Sequence, residues 1–465
     1  MIKEIIKQSA VMQRQISKFE LDYFSNLGDI ADKLAGYPYT IWLDSCHPYS
    51  QQGRYELLVT DPAQLVIGEN DQIKTQSHDG KTQIFSGNPF DSLEKILMQY
   101  PKFNHTDVFF CGGFVGYFAY DLGRLNEVIP NLLPQIPHFN NCLGGIYLWG
   151  IVSDHFKKTT EIIGILPSSQ LQELWQKITA LPASDLPGFK LASELIPMTD
   201  KASYQKSFKQ AKQHIAQGDC YQINLSQAFL AQHKGHAWHA YLALRKNNPT
   251  PFAAYINAGD YQILSCSPER FIKIENNDVI TNPIKGTARR HENSKIDKIY
   301  ANKLKASIKN QAENIMIVDL MRNDLSRNCV PGSVKVPKLC NLESFNQVHH
   351  LVSTVTGQLD ALSSPLKCLR DSFPGGSITG APKIRAMQII ETLETCRRGI
   401  YCGSIGYYGF NNNLDTSIAI RTMISQNHTL KLYAGGAIVA DSECHSEYQE
   451  CYTKIKAISQ TLNQL

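Results

Sequence analysis

The chain has 465 residues, 43% of them hydrophobic, and a formal net charge of only +4. A polypeptide of this length can bury a sizeable core as two or three domains or one two-lobed unit. With no basic stripe and no acidic tail, its charge argues against nucleic acid as a partner.

The opening MIKEIIKQSAVMQRQ breaks its apolar residues with charges, unlike a signal peptide, and no apolar run reaches the length of a membrane span. Twelve cysteines without a C-x-x-C pair read as reduced thiols of a cytoplasmic protein. From about Tyr55 to Asp154, β-forming runs alternate with turn signals: YELLVTDP, VFFCGGFVGYFAY and LGGIYLWGIVSDH. No βαβ alternation is visible, which argues against a doubly wound parallel sheet. Between Leu166 and Ser203 the text turns rich in Pro, Ser and Asp, with one helical patch at LQELWQKI. The division this suggests is an N-terminal lobe over 1–165, a linker over 166–200 and a C-terminal region over 201–465.

Beyond the linker, Tyr204, Phe208, Ala211 and Ile215 share one helical face, with Ser203 as N-cap and Gly218 as stop. CYQINLSQAFL, FAAYINAGDYQILSCS and RFIKIENNDVITN read as strands. A long helical stretch covers roughly Lys295 to Leu320, and another starts after PGGSITGAP, with Pro382 in its first turn. The last helix spans roughly His445 to Leu462. Tyr448, Cys451, Ile455, Ile458 and Leu462 form its buried stripe, and Glu447, Glu450 and Lys454 fall off it. The fold class expected is α+β, two-lobed, with antiparallel sheets packed as a sandwich and helices outside.

Several groups of residues carry chemistry. Glu447 and Glu450, three apart on one helix, share a face, and Glu313 edges another helical stripe. Three converging carboxylates would suit Mg²⁺; solvated glutamates are the alternative reading. FPGGSITGAPKIRAM and YAGGAIVADS are Gly-rich. The first is not a nucleotide-binding P-loop, because Ala381 stands where the lysine belongs and Lys383 comes too late. Either stretch reads as an anion cradle or a plain turn. Cys142, in NCLGGIYLWG, lacks the surroundings of a glutaminase nucleophile and reads as a buried thiol. His350 is either a satisfied structural residue or a proton donor.

Lys285, in TNPIKGTARR, sits in what reads as a turn after a strand. As a nucleophile it must be neutral, and an ordinary lysine near pH 7 is neutral in only about 1 molecule in 10³. Desolvation or a nearby cation would reduce that handicap; Arg289, Arg290 and a bound Mg²⁺ are the candidates. A structural or anion-pairing lysine is the competing reading.

Taken in order, IAQGDCYQINLSQAF, SCSPERF, NPIKGT, AENIMIVDLMRNDLSR, VHHLVSTVTG, FPGGSITGAPKIRAM, RRGIYCGSIGYYG, DTSIAIRTM and AGGAIVADS make the C-terminal region resemble the chorismate-utilising enzymes. That family includes anthranilate synthase component I, aminodeoxychorismate synthase component I, and the isochorismate and salicylate synthases. The N-terminal WLDSCHPYS and GRYELLVTDP resemble the two aminating members. The resemblance implies chorismate held through Mg²⁺, with Glu313 and Glu450 as metal ligands and Glu447 beside them. It implies Arg421 and Tyr401 on the substrate's carboxylate-bearing side, with Ser377, Thr287, Gly435 and the backbone at Ala437 completing the wall. The family usually has Gly where this chain has Ala437.

Members that add water carry lysine where this chain has Gln222, so Gln222 points to amination. The members that aminate C2 carry alanine at the Lys285 position; those that aminate C4 carry lysine. The resemblance therefore implies Lys285 as a transient nucleophile, Glu269 as its acid/base partner and His350 as a donor to the leaving hydroxyl, with C2 amination as the alternative reaction. It also implies a separate glutamine amidotransferase subunit supplying ammonia, in a heterodimer. Finally, Ser45, Arg54, Tyr55 and Pro251, Phe252, Ala253, Ala254 and Tyr255 match positions around a tryptophan pocket in the aminating members.

Overall fold

The structure is a computed structural model and describes residues 14–50, 52–104, 107–345 and 348–465. The opening stretch read as unlike a signal peptide lies, through residue 13, outside the described residues. Among the described residues, no helix is long and apolar enough to cross a membrane.

Two large sheets, of thirteen and twelve strands, dominate the described residues, and the helices cover their outer faces. The first runs through Ile41–Asp44, Phe252–Asn257, Tyr261–Ser267, Thr422–Gln426, Thr429–Ile438 and Gln222–Lys234, each antiparallel to the next. The second runs from Ile284–Arg289 through Val348–Gln358, Asp278–Thr281, Arg270–Glu275, Leu414–Ile418 and Ser404–Gly409 to Gly113–Phe118, again antiparallel throughout. Period-2 patterns put Ile41, Val59, Val115, Tyr117, Ile263, Ile405 and Tyr407 into the layer between the sheets. Each such side chain contributes about 1.5–3 kcal/mol on burial. The α+β class expected from sequence is the class observed.

The division at 166–200 is one of sequence. In the fold, Ile41–Asp44 pairs with Phe252–Asn257, and Gly113–Phe118 pairs with Ser404–Gly409. Strands from before and after that segment thus share both sheets. The segment itself holds the helix Ser168–Ala180, matching the helical patch, and two short strands at Lys190–Leu191 and Ile196–Pro197.

Local signals account for most elements and for three corrections. The helix after the linker is Lys201–Ala216, and its cap is Asp200, whose side chain accepts from the Ser203 amide at 2.7 Å. Ser203 is inside the helix; Asp at the cap does the same job with a charge. The long stretch expected over 295–320 is two helices, Ser294–Lys305 and Ile308–Ser326. Ser307 breaks it by capping the second helix through the Asn310 amide. Pro382 caps the helix Lys383–Leu393 from just outside it. The last helix, Cys444–Leu462, buries the expected stripe but also Glu447, which is 4% exposed.

What positions the site is a corner. The strand Tyr261–Ser267 leaves the first sheet and continues as Arg270–Glu275 in the second; Leu414–Ile418 in the second continues as Thr422–Gln426 in the first. The two crossovers lie side by side, tied by Ile418 N–H to the Glu269 carbonyl at 3.0 Å and Cys266 N–H to the Arg421 carbonyl at 3.1 Å. A third pass of chain joins them, Cys402 N–H donating to the Ala419 carbonyl at 2.9 Å. Glu269 and Arg421 are therefore set at the corner where the sheets meet.

Candidate active site

Lys285 stands on the strand Ile284–Arg289, whose pairing with Val348–Gln358 slips between Lys285 and Thr287. Gly286, at φ 82°, makes that bulge possible, since an L side chain is strained there and its Cβ would sit 3.0 Å from Asn310. The expected turn is thus a bulged strand. Lys285 Nζ donates to the Ser377 carbonyl at 2.9 Å. Ser377 comes from the one-turn helix Gly376–Ile378, so the first Gly-rich stretch wraps the lysine, while Lys383 is held by Asp324 and the Ser372 carbonyl. The side chain of Lys285 is half-buried. Burial pushes its pKa down, the ammonium of Lys454 adds to that, and Glu313, Glu269 and Glu450 oppose it. Arg290 is spent on Asp297 at 3.0 Å and Arg289 is exposed, so the cation beside the amine is Lys454 rather than either arginine.

Glu269 is 5% exposed. Burial holds its pKa above the ordinary carboxylate range, against a hydrogen bond from Ser377 and the charge of Lys285. A carboxyl pushed up beside an amine pushed down is a pair suited to exchanging a proton near neutrality.

The three other carboxylates lie alongside. Glu313 is on the helix Ile308–Ser326, and Glu447 and Glu450 are on Cys444–Leu462. Lys309 Nζ stands 4.0 Å from Glu313 and 3.9 Å from Glu447. Lys454 Nζ bonds Glu450 and the Gly435 carbonyl, both at 2.7 Å. Glu447 takes a hydrogen bond from Ser442 Oγ at 2.7 Å, and its other oxygen is buried with no hydrogen bond. Burial raises the pKa of both Glu313 and Glu447. The second Gly-rich stretch is strand, Thr429–Ile438, and not a loop. Its glycines serve close approach, because a Cβ at Gly436 would sit 2.9 Å from that free Glu447 oxygen. An all-oxygen set with one unsatisfied oxygen fits a hard cation such as Mg²⁺. In the arrangement seen, Lys309 and Lys454 hold the counter-charge, and no three acids among the described residues already converge on one point.

A second group sits across the strand. Thr287 Oγ1 and His350 Nδ1 are 2.9 Å apart. Burial, and then Arg421, lower the His350 pKa to about 4, so the ring is neutral near pH 7. Arg421 has φ 51°, a strained value for a residue with a side chain. Burial lowers its pKa, and only the Cys266 thiol opposes the shift. Among the described residues its half-buried guanidinium has no carboxylate partner, so it is a cation open to an anion.

The remaining residues frame these groups. Tyr401 is buried, its ring stacked 5.2 Å from Tyr433. Ala437 pairs with Asn224 and Gly435 with Ser226 along neighbouring strands. Gln222 is wholly buried beside Gly380–Ala381, and neither polar atom of its amide has a partner. Cys142 is a buried strand residue, and all twelve cysteines are free thiols.

The tryptophan set falls apart from these residues, around a cavity of about 630 Å³ between the sheets. Arg54, Tyr55, Pro251, Phe252, Ala253 and Ala254 line it. Ser45 lies behind, donating to Glu56 at 3.3 Å, and Tyr255 is in the core with its hydroxyl on the Ala35 carbonyl. The far end of the cavity is lined by Ile284, the residue before Lys285.

Sequence reasoning missed Lys454, Lys309 and Ser442. Two of them carried a signal: Lys454 follows Glu450 by four residues, and Lys309 precedes Glu313 by four, the spacing of helical ion pairs.

The family profile described as chorismate binding enzyme matches residues 41–460. Aminodeoxychorismate synthase component 1 of Salmonella typhimurium is 41% identical over 417 residues, covering 89% of this chain and 90% of that one. Anthranilate synthase component 1 of Acetivibrio thermocellus is 33% identical over 442 residues, covering 91% and 90%. The crystal structure of anthranilate synthase component I from Streptococcus pneumoniae superposes with a TM-score of 0.78 at 32% identity, covering 88% of this chain and 93% of that one. With the family profile spanning nearly all of it, the chain belongs to the chorismate-binding enzymes.

Proposed function

We propose that this enzyme aminates chorismate at C4 to give 4-amino-4-deoxychorismate, toward 4-aminobenzoate and folate. The observation that carries the reading is Lys285: half-buried, lowered in pKa, held by the Ser377 carbonyl and flanked by the raised carboxyl of Glu269. The greater similarity to an aminodeoxychorismate synthase component 1, 41% against 33%, points the same way.

Placing nitrogen at C4 directly is a difficult substitution, and covalent catalysis divides it. The neutral Lys285 amine bonds to C2, both double bonds of the ring diene shift by one bond around the ring, and the C4 hydroxyl leaves. Ammonia then bonds to C4, both double bonds shift back, and the C2–lysine bond breaks, restoring the amine. Glu269 takes the proton lost by the lysine nitrogen and gives it to the hydroxyl, which leaves as water. In the second step it takes a proton from the incoming nitrogen and returns it to the lysine, while the neutral His350 on the Thr287 side hydrogen-bonds the departing hydroxyl. Arg421 and Tyr401 orient the carboxylate-bearing side, and Gln222 leaves the entering nitrogen without a general base for water. Glu313, Glu447 and Glu450 would hold Mg²⁺, whose chemistry is to neutralise a substrate carboxylate. Ammonia comes from a glutamine amidotransferase partner. The inter-sheet cavity, with Tyr55 and Phe252 in its wall, has the size and lining for tryptophan.

The deciding assay incubates the protein with chorismate, ammonium and Mg²⁺ and separates the products. The 4-amino product, convertible to 4-aminobenzoate by a lyase, is expected. Accumulation of fluorescent anthranilate would refute the reading in favour of C2 chemistry.

A further inference from the structure

Lys212 is on the helix Lys201–Ala216, away from the substrate residues, yet it makes unusual contacts. Its ammonium donates to three backbone carbonyls of one short turn: Val439 at 3.3 Å, Ser442 at 3.2 Å, and Ala440. It has no carboxylate partner among the described residues. A lysine on a surface helix ordinarily reaches for solvent or an acid. This one gives all three donors to neutral oxygens of a turn.

That turn leads to the acidic group. The Ser442 hydroxyl accepts from the Val439 amide at 3.1 Å and donates to Glu447 Oε1 at 2.7 Å. The Glu447 hydrogen bond thus depends on where the turn holds Ser442, and Lys212 ties three carbonyls of that turn, beside the turn's own bond from the Ser442 amide to the Val439 carbonyl at 3.1 Å. With Oε1 occupied by Ser442, the buried Oε2 is the oxygen left without a hydrogen bond beside Gly436.

We propose that Lys212 is a positioning residue for Glu447, acting through the 439–442 turn and the Ser442 hydroxyl to present one carboxylate oxygen to a divalent cation. The inference rests on the reading of Glu313, Glu447 and Glu450 as the cation site. It adds a residue that touches neither cation nor substrate.

The test measures Mn²⁺ binding to the full chain without chorismate, by electron paramagnetic resonance, beside the Mg²⁺ dependence of turnover. Lys212→Met should weaken Mn²⁺ binding by about tenfold, the loss expected when one well-placed hydrogen bond to a charged group is removed. Its kcat at saturating Mg²⁺ should stay within about threefold of wild type, because the lysine meets no reacting atom. Ser442→Ala should give a similar loss, and the double variant should bind no worse than either single one. Lys212→Arg, which keeps several donors, should recover most of the affinity. Wild-type Mn²⁺ affinity in Lys212→Met, or additive losses in the double variant, would overturn the proposal while leaving the cation site standing. No Mn²⁺ binding by the wild-type chain would overturn both. Should Lys212→Met not fold, Lys212→Gln is read in its place, and unchanged affinity there refutes the proposal equally.

Discussion

Replacing Arg421 by Met should move substrate affinity and stability in opposite directions. Arg421 is half-buried, strained in its backbone and without an acidic partner among the described residues. In the free protein it is a cost, because burial disfavours its charged form and nothing among the described residues compensates. On the function proposed here it meets a substrate carboxylate in the complex, and a hydrogen bond to a charged group contributes about 1.5–3 kcal/mol. Arg421→Met should therefore weaken chorismate binding roughly 10- to 150-fold at about 1.4 kcal/mol per factor of ten. Stability should rise or hold. At about 2.1 cal/mol/K per residue over 465 residues, each kcal/mol gained raises the melting temperature by about 1 °C. A third readout is internal: Arg421 helps depress His350, so the His350 pKa should climb from about 4 in the variant. Calorimetric titration with chorismate, a thermal melt and an NMR titration of His350 check the three. Unchanged chorismate affinity, or a melting temperature several degrees lower, would refute the reasoning, since the first denies the ligand contact and the second a hidden structural partner.

Three further outcomes are expected. Lys285→Ala should lose formation of the 4-amino product by several orders of magnitude while still binding chorismate, and mass spectrometry of wild type stalled without ammonia should show a lysine adduct that the variant lacks. Lys454→Met removes a like charge beside Lys285 and frees Glu450 to attract it, so both effects raise the Lys285 pKa; the acid limb of the kcat/KM profile should move to higher pH, and an unmoved limb would sink the idea. His350, with a folded pKa of about 4 against an ordinary 6.5, contributes stability that is complete above about pH 6.5 and is lost as pH falls toward 4. Denaturant melts across that window should show a shallower acid slope in His350→Gln than in wild type.

The parts of this site readable from sequence were those set by local spacing. The stripe of Cys444–Leu462 followed from the 3.6-residue period, and the pairing of Glu447 and Glu450 on one face from their separation. What a helix face meets is a matter of tertiary packing, which is why Glu447 was placed on the solvated side and is in fact buried against Gly436. The same blindness explains the second Gly-rich stretch: glycine density reads as a loop, but here it is a strand thinned so that carboxylates can approach. Arg289 and Arg290 were the near cations in sequence, yet alternation and the bulge at Gly286 send Arg290 to Asp297 and leave the role to Lys454, 169 residues on. The Ser307 break in the helical stretch was visible as a capping residue, though its neighbours are all helix formers and masked it.

Burial alone does not mark a functional group in this fold; burial without compensation at the sheet corner does. Asp44 is as buried as any charge here, yet Arg245 meets it through two nitrogens at 2.8 and 3.1 Å and the Tyr241 hydroxyl adds a third bond at 2.8 Å. Asp44 itself is thus fully paired and reads as structure. Nor is every unpaired atom informative, since the indole N–H groups of Trp42 and Trp149 are also without partners and belong to the packed core. Glu56 and Gln227 also hold buried polar atoms without a hydrogen bond; at the candidate site the corresponding atoms are one Glu447 oxygen and the Gln222 amide, and the half-buried Arg421 there has no carboxylate partner among the described residues. An unpaired indole costs one weak donor. An unpaired guanidinium or carboxylate costs several times more. On the function proposed here a bound anion and cation supply those counterparts, the anion at Arg421 and the cation at the Glu447 oxygen.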